Sequence, residues 1–491
     1  MSHDISIIDV ADFLGLERDP RSSANAVSVS YKCPFCGKAD SRRYTLNVNA
    51  LKNVFFCPRC MNPVQDKHTG FLDLYARVKL GTTCVPGSNS KQLYGMLKDD
   101  MRGSGALKEY SYSKPAYDGP RKIVPASDEV LDAAYSALIS LPALALSQQH
   151  KLNLLKRGMD EQSIINGGYC SFPPEKKLIA QYDPDNRFKK WYDEHKIAQS
   201  ANRQIRDMRP TQLHAGYIIA KFLREKGVDV LHVPGFFKIS GNLYAFRYEE
   251  GMLVPTRNTS GQIVGCQIRR DSNKSQLRYM TVSSKDFPEG PNSNIARFHF
   301  TKSKEITEHT TVLVTEGPLK ADVALSLMKQ MKPNVDVAII AIQGVNSVSG
   351  VTDCVKWLVN ECHVKHFYNV LDMDRYCNPF VGKAAKNINQ MFRDAGAEIR
   401  DLTWDKKFAK EYSKKMAEYL KKAGYEFTLT GNPYLDLSEM SSIMYKKTLP
   451  NIAGYEEMVR GNRYYPYWSG MSKGIDDVLL SKALACGIQK F

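Results

Sequence analysis

"VLVTEGPLKADVALSL", residues 312–327, decides the fold. Its first four residues are apolar or β-branched, the pattern of a strand buried on both faces. Glu316 and Gly317 end the run, and Pro318 suits the first turn of a helix. The stretch predicts a strand over 311–315 and a helix over 318–330. The rhythm then repeats. "DVAIIAI" (336–342) reads as a second strand, and "FYNVLDMDR" (367–375) carries most of a third, over 366–372. A helix over 383–394, closed by Gly396, precedes a strand over 397–403. This alternation predicts an α/β fold with a mostly parallel sheet covered on both faces.

In such a sheet functional groups gather at the carboxyl ends of the strands, where Glu316, Asp372 and Asp374 fall. In extended chain, residues i and i+2 point the same way, so the two aspartates are expected to share a site. Like charges about 4 Å apart repel by roughly 4 kcal/mol at an effective dielectric near 20. A hard divalent cation such as Mg²⁺ offsets that with carboxylate and water ligands. Taken singly, Glu316 would serve the following helix N-terminus and the aspartates would end a strand. Found together in one α/β unit, they predict metal binding. Lys320, one turn beyond Glu316, either faces phosphate or is a solvated helix lysine. Asp322 is expected to serve the helix. Asp405, Asp476 and Asp477 extend the cluster or are loop carboxylates.

The whole chain has 491 residues, a length that implies two to four domains. With 43% hydrophobic and 10% aromatic residues it can build real cores, which excludes global disorder. A formal net charge of +16 favours a polyanionic partner, nucleic acid or an anionic membrane. No apolar run reaches the length of a membrane span, and "MSHDISIIDV" lacks the basic and apolar regions of a signal peptide. Of eleven cysteines, Cys84, Cys170, Cys266, Cys354, Cys362, Cys377 and Cys486 are scattered, which predicts reduced thiols and a cytoplasmic setting.

The other four form a pattern. "CPFC" (33–36) and "CPRC" (57–60) flank "YTLNVNALKNVFF", which alternates like a hairpin turning at 49–53. Two such knuckles supply a tetrahedral thiolate set, so Cys33, Cys36, Cys57 and Cys60 are expected to hold one structural Zn²⁺ in a zinc ribbon. Arg42, Arg43, Lys52 and Arg59 around it either touch nucleic acid or form a solvated face. Further on, Arg269, Arg270, Arg278 and Lys285 surround an alternating hairpin. They are ordinary surface residues or clamps for phosphate. Tyr279 beside them packs or stacks on a base. Residues 86–125, rich in Gly, Ser, Pro, Lys and Tyr, read as a linker. Residues 406–470, from a lysine-rich helix pattern to a tyrosine-rich loop, break the α/β rhythm and read as an insertion.

"TEGPLKAD", "IQGVNS", "VLDMD" and "KGIDDVLL" (473–480) together resemble a Toprim domain, closest to that of primases carried by phages and mobile elements. "ISIIDVADFLGL" with the four cysteines resembles the opening of a bacterial-type DNA primase. "LLKRGMDEQSIINGGYCSFP" (154–173) resembles the Arg-Gly helix segment of its polymerase domain, and "GQIVGCQIRRDSNKSQLRYMTVSS" (261–284) its basic motif. The resemblance implies a zinc ribbon over 1–85, a linker over 86–125 and a basic α+β lobe over 126–300. A Toprim domain follows over 301–405, with the unmatched insertion at 406–470 and the end of the Toprim domain at 471–491. It implies that Glu316, Asp372 and Asp374 hold catalytic Mg²⁺ or Mn²⁺ for nucleotidyl transfer, with Lys320 at the phosphates. It also implies that Arg157, Arg269, Arg270, Arg278 and Lys285 bind NTPs or the template and primer. The expected activity is synthesis of short RNA primers from NTPs on single-stranded DNA. No Gly-x-x-x-x-Gly-Lys-[Ser/Thr] occurs in the chain, so the expected replicative helicase is a separate partner. The competing readings are a zinc-ribbon nucleic-acid-binding replication accessory and a Toprim nuclease.

Overall fold

The computed structural model describes residues 5–20, 22, 28–36, 44–50, 53–61, 69–83, 90–103, 123–200, 202–271, 278–291, 298–344, 347–446, 466–470 and 472–486. The chain forms two compact units, Met1–Asp118 and Gly119–Phe491.

In the first unit three antiparallel strands follow one another: β1 (Ser28–Tyr31), β2 (Leu46–Asn49) and β3 (Val54–Phe56). Alternation puts Val29, Tyr31, Leu46, Val48 and Phe55 inward, against Ile7 and Val10 of helix Ile7–Phe13 and Leu74 of helix Phe71–Lys79. The β2–β3 hairpin turns where expected, pairing Asn49 with Val54. Asn53 takes a positive φ of 53° at the turn, and its Oδ1 accepts the Ile7 amide at 3.1 Å. Within the stretch read as a linker, Ser90–Gly103 is a helix. Leu93, Leu97 and Met101, spaced by four, share its buried face, and Tyr75 donates to Asp100 at 2.6 Å. Those three residues sit at helical spacing that the Gly- and Ser-rich composition around them masked. Arg42, Arg43, Lys52 and Cys84 lie outside the described residues.

The second unit has an antiparallel lobe, β4 (Cys170–Phe172), β7 (Gly251–Arg257), β8 (Ile263–Arg270) and β9 (Tyr279–Thr281), in the order β4-β7-β8-β9. A hairpin of β5 (Phe236–Ser240) and β6 (Leu243–Phe246) adjoins it. Helices Asp128–Ile139 and Pro210–Glu225 close its core around Leu131, Tyr135, Ile219 and Phe246. The remaining strands are β10 (Phe298–Lys302), β11 (Thr311–Glu316), β12 (Val337–Ile342), β13 (His366–Asn369) and β14 (Ile399–Asp401). Their order is β10-β12-β11-β13-β14, parallel except for the edge strand β10.

Every residue of β12 is buried, as a continuous apolar run at the middle of a covered sheet should be. Leu313, Ile339 and Ala341 face helix Pro318–Met331, while Val312, Val314 and Ile340 face helices Thr352–Asn360 and Pro379–Asp394. The expected α/β class with a mostly parallel sheet, a basic α+β lobe and a four-cysteine N-terminal unit is observed. β13 is shorter than the expected strand over 366–372. After Asn369 the chain keeps one sheet bond, Val370 N to Val314 O at 2.9 Å, then turns at Asp372 into a 3₁₀ turn, Met373–Tyr376.

Helices Lys406–Lys422 and Pro433–Lys446 pack together over Met373 and Cys377, with Tyr412, Met416, Leu437, Met440 and Trp468 in the shared core. Helix Ile475–Ala485 then returns to pack on helix Pro318–Met331. Among the described residues no helix is long and apolar enough to cross a membrane.

Candidate active site

The β11-to-helix turn needs a residue of positive φ, which Gly317 supplies at 93° while its amide bonds Ile342 O at 2.8 Å. That turn fixes Glu316 at the carboxyl edge of the sheet. Its carboxylate has no hydrogen bond or ion pair among the described residues. Burial pushes its pKa up, and the Asp372 charge adds to that.

Asp372 and Asp374 share the same edge, but not because the chain is extended there. Asp372 caps the 3₁₀ turn and Asp374 lies inside it. Two lysines draw them together. Lys320 Nζ bonds Asp372 Oδ1 directly. Lys473 Nζ lies 2.7 Å from Asp374 Oδ2 and 3.4 Å from Asp372 Oδ2. Burial works against the charge on Asp372, yet the two ammoniums outweigh it and hold the carboxyl below the usual range. On Asp374 burial wins over Lys473, and the carboxyl is raised. Both lysines are raised in turn: burial opposes their charge and the aspartates overcome it.

Residues 473–477 complete the group. Met373 N donates to Lys473 O at 2.9 Å, so this segment is stitched to the 3₁₀ turn. A Cβ on Gly474 would meet Asp476 Oδ1 at 2.5 Å, Asp372 Oδ1 at 3.2 Å and Lys320 Nζ at 3.5 Å. Only a glycine lets the backbone approach so closely. Asp476 thus joins the cluster, its carboxyl raised by burial. Asp477 instead caps its own helix, accepting the Gly474 and Lys473 amides at 3.0 and 3.1 Å. Asp405 accepts the Ser472 amide at 3.2 Å. Sequence reasoning included Lys473 in the motif "KGIDDVLL" but gave it no role. The signal available was the Lys-Gly pair ahead of Asp476.

Arg157 connects the acids to the basic strand. Its Nη1 lies 3.5 Å from Asp476 Oδ2, and its charge acts on Arg269. Arg269, Arg278 and Arg157 form one mutually repelling group. Burial of Arg269, with the Arg278 and Arg157 charges, lowers its pKa, and its Nε is buried without a partner among the described residues. Arg270, next along β8, points the other way, as neighbours on a strand do. It pairs with Glu249 Oε1 at 3.1 Å and touches Met280 Sδ at 3.3 Å. Lys285 is exposed on a turn, with no ion pair among the described residues.

Asp322, expected to serve its helix, instead joins the two lobes. It accepts from Tyr169 Oη at 2.6 Å and from His299 Nε2 at 2.9 Å. His299 Nδ1 accepts the Arg257 amide at 3.1 Å, which leaves its proton on Nε2.

In the first unit, one Sγ each from Cys33, Cys36, Cys57 and Cys60 fall within 4.8 Å of one another. Cys33 and Cys36 follow β1, and Cys57 and Cys60 follow β3. All four ligand atoms are protein sulfurs, a set that suits a structural zinc site.

No family model and no curated protein matches the chain. Solved structures do. The chain is similar to Aquifex aeolicus primase (zinc-binding and RNA polymerase domains), at 14% identity over 91% of this chain and 96% of that one, with a TM-score of 0.34. It is similar to the RNA polymerase domain of Mycobacterium tuberculosis primase DnaG, at 14% identity over 57% of this chain and 77% of that one, TM-score 0.34. A DnaG primase catalytic domain bound to single-stranded DNA also matches at 14% identity, over 60% of this chain and 78% of that one, TM-score 0.34.

Proposed function

We propose that this chain is a DNA primase, making short RNA primers from NTPs on single-stranded DNA by metal-dependent nucleotidyl transfer. One observation carries the reading. Glu316, Asp372, Asp374 and Asp476 converge at the carboxyl edge of a parallel sheet, and Arg157 links them to Arg269 and Arg278. Four acids beside a basic strand suit a reaction between polyphosphates. The motif set resembles primases of phages and mobile elements, which supports a separate helicase as partner.

The residue types suit a hard divalent cation, although among the described residues only the four cysteines bring their ligand atoms within 4.8 Å of one another. Asp374 Oδ1 and Asp476 Oδ1 are buried without a hydrogen-bond partner among the described residues, which leaves open lone pairs inside the cluster. Glu316, Asp372 and Asp374 would hold Mg²⁺ or Mn²⁺, with Asp476 beside them. When bound, the ion acidifies the attacking hydroxyl and stabilises charge on the leaving pyrophosphate. Lys320 and Lys473 keep Asp372 ionised and hold the acids close. Arg269, with no partner for its buried Nε, is the group best placed to accept an NTP phosphate, and Arg157 and Arg278 add counter-charge. The zinc ribbon engages the template.

The test is to mix the full chain with single-stranded DNA, labelled NTPs and Mg²⁺. Short oligoribonucleotides are expected. Asp372→Asn, Asp374→Asn and Glu316→Gln should each reduce them by orders of magnitude, since each 1.4 kcal/mol lost at the transition state is tenfold. DNA cleavage without new RNA would favour the nuclease. Full activity in all three variants would refute the metal site.

A further inference from the structure

We propose that the exposed face of helix Lys406–Lys422, in the insertion, is a docking surface for single-stranded DNA leading to the acidic cluster. The inference rests on the primase reading and gives the insertion a role. The helix carries seven lysines, no arginine and two glutamates. All seven lysines are exposed. Lys406, Lys407, Lys410, Lys414, Lys421 and Lys422 have no carboxylate partner among the described residues. At about 100° per residue, Lys406, Lys410, Lys421, Lys414 and Lys407 fall within an arc of roughly 100°. Glu418 and Glu411 lie just outside it. The result is a stripe of positive charge along a helix about 25 Å long.

Isolated helix lysines are usually a solvated face. Three features set this stripe apart. Its five lysines outnumber Glu411 and Glu418 at the border of the arc, which lie three or four residues from Lys407, Lys414 and Lys421 and offset only part of the charge, so a polyanion lowers the energy of what remains. Its opposite face is already used: Ala409, Tyr412, Met416, Tyr419 and Leu420 pack in the insertion core, so no apolar side remains to enter a membrane. And it starts at the site. Asp405, the residue before Lys406, binds the Ser472 amide, and Trp404 Nε1 donates to Ser472 O at 2.9 Å, next to Lys473. A strand lying along the stripe therefore arrives at the segment that holds Asp372 and Asp374. Lysine's flexible point charge, rather than arginine's rigid fork, suits a single strand whose phosphates have no fixed spacing.

The experiment is binding of a fluorescent 20-nucleotide single strand by the full chain, between about 50 and 200 mM salt. Lys406→Gln/Lys410→Gln/Lys414→Gln/Lys421→Gln should lower the log–log salt slope by up to about 3, at roughly 0.7 per phosphate contact. Affinity at low salt should fall at least about tenfold, and the four-arginine variant should restore it. Circular dichroism separates loss of contact from loss of fold. If the glutamine variant is not folded, Lys410→Glu alone, measured the same way, decides. Unchanged slope and affinity overturn the proposal. So does a loss confined to duplex DNA, or to vesicles of anionic lipid. Binding needs no catalysis, so the two readings fail separately. Primers made with an unaltered slope sink this surface only. A lost slope in a protein that makes no primers sinks the primase reading only.

Discussion

Lys320→Met removes one ammonium from the acidic cluster with little change of shape. Lys320 bonds Asp372, whose side chain is only 4% exposed. Breaking a buried pair by deleting one partner costs about 3–5 kcal/mol, because the other charge stays buried. Here Lys473 remains 3.4 Å from Asp372, a gross attraction of roughly 5 kcal/mol at an effective dielectric near 20. The expected cost is therefore at the lower end, about 3 kcal/mol. For Gly119–Phe491, at about 2.1 cal/mol/K per residue, the unfolding entropy is near 0.8 kcal/mol/K, so Tm should fall by about 4 °C. That holds in EDTA. If the acids take Mg²⁺, the ion would meet less competing positive charge in the variant, so it should raise the Tm of the variant more than that of the wild type. The assay is thermal unfolding in EDTA and in saturating Mg²⁺. Equal Tm values in EDTA, or equal gains with Mg²⁺, would refute the idea that Lys320 holds the acids together in place of a cation.

Purified without chelator, the chain should contain one Zn²⁺, and Cys57→Ser/Cys60→Ser should contain none by elemental analysis while the first unit loses its structure. Arg269→Ala should weaken NTP binding with little effect on Tm, whereas Arg270→Ala should lower Tm by about 1 kcal/mol equivalent through its lost Glu249 pair; titration and melting of both variants check this, and the opposite pattern would exchange their roles. His214 is buried against Phe188, and burial depresses its pKa below the ordinary value although Asp183 opposes this. The unfolded chain then takes up the proton first, so stability falls as pH drops through about 6.5, the ordinary value for histidine. The Tm gap between wild type and His214→Gln should narrow from pH 7 to 5, and a widening gap would mean that the Asp183 pairing dominates.

What the chain order encodes locally was readable. The "VLVTEGPLK" run specifies a buried strand, a glycine turn and a proline-started helix, and all three are observed. The cysteine knuckles and their hairpin were equally plain, since both the metal spacing and the turn lie within 28 residues. The placement of Glu316, Asp372 and Asp374 at one sheet edge followed from topology. The reason the aspartates meet did not. It depends on Lys473, a side chain distant in sequence, and on a turn where extended backbone was expected. Asp476 and Asp477 are adjacent and chemically identical, yet one enters the cluster and the other caps a helix. Only the direction of helix Ile475–Ala485 separates them, and that comes from its packing on helix Pro318–Met331. Asp322 was misread for the same reason, because its partners Tyr169 and His299 belong to other elements.

The stitch between Met373 and Lys473 orders events during synthesis. Asp374 leaves the ribosome 99 residues before Lys473. At about 5–20 residues per second, that is an interval of roughly 5–20 s. Throughout it the sheet edge carries Glu316, Asp372 and Asp374 with Lys320 alone to balance them. Closing a contact so distant in the chain is slow compared with local helix formation. The nascent protein therefore passes through a stage in which its sheet can fold but its acids are not yet gathered, and arrival of residues 472–476 is what turns a folded scaffold into a complete centre.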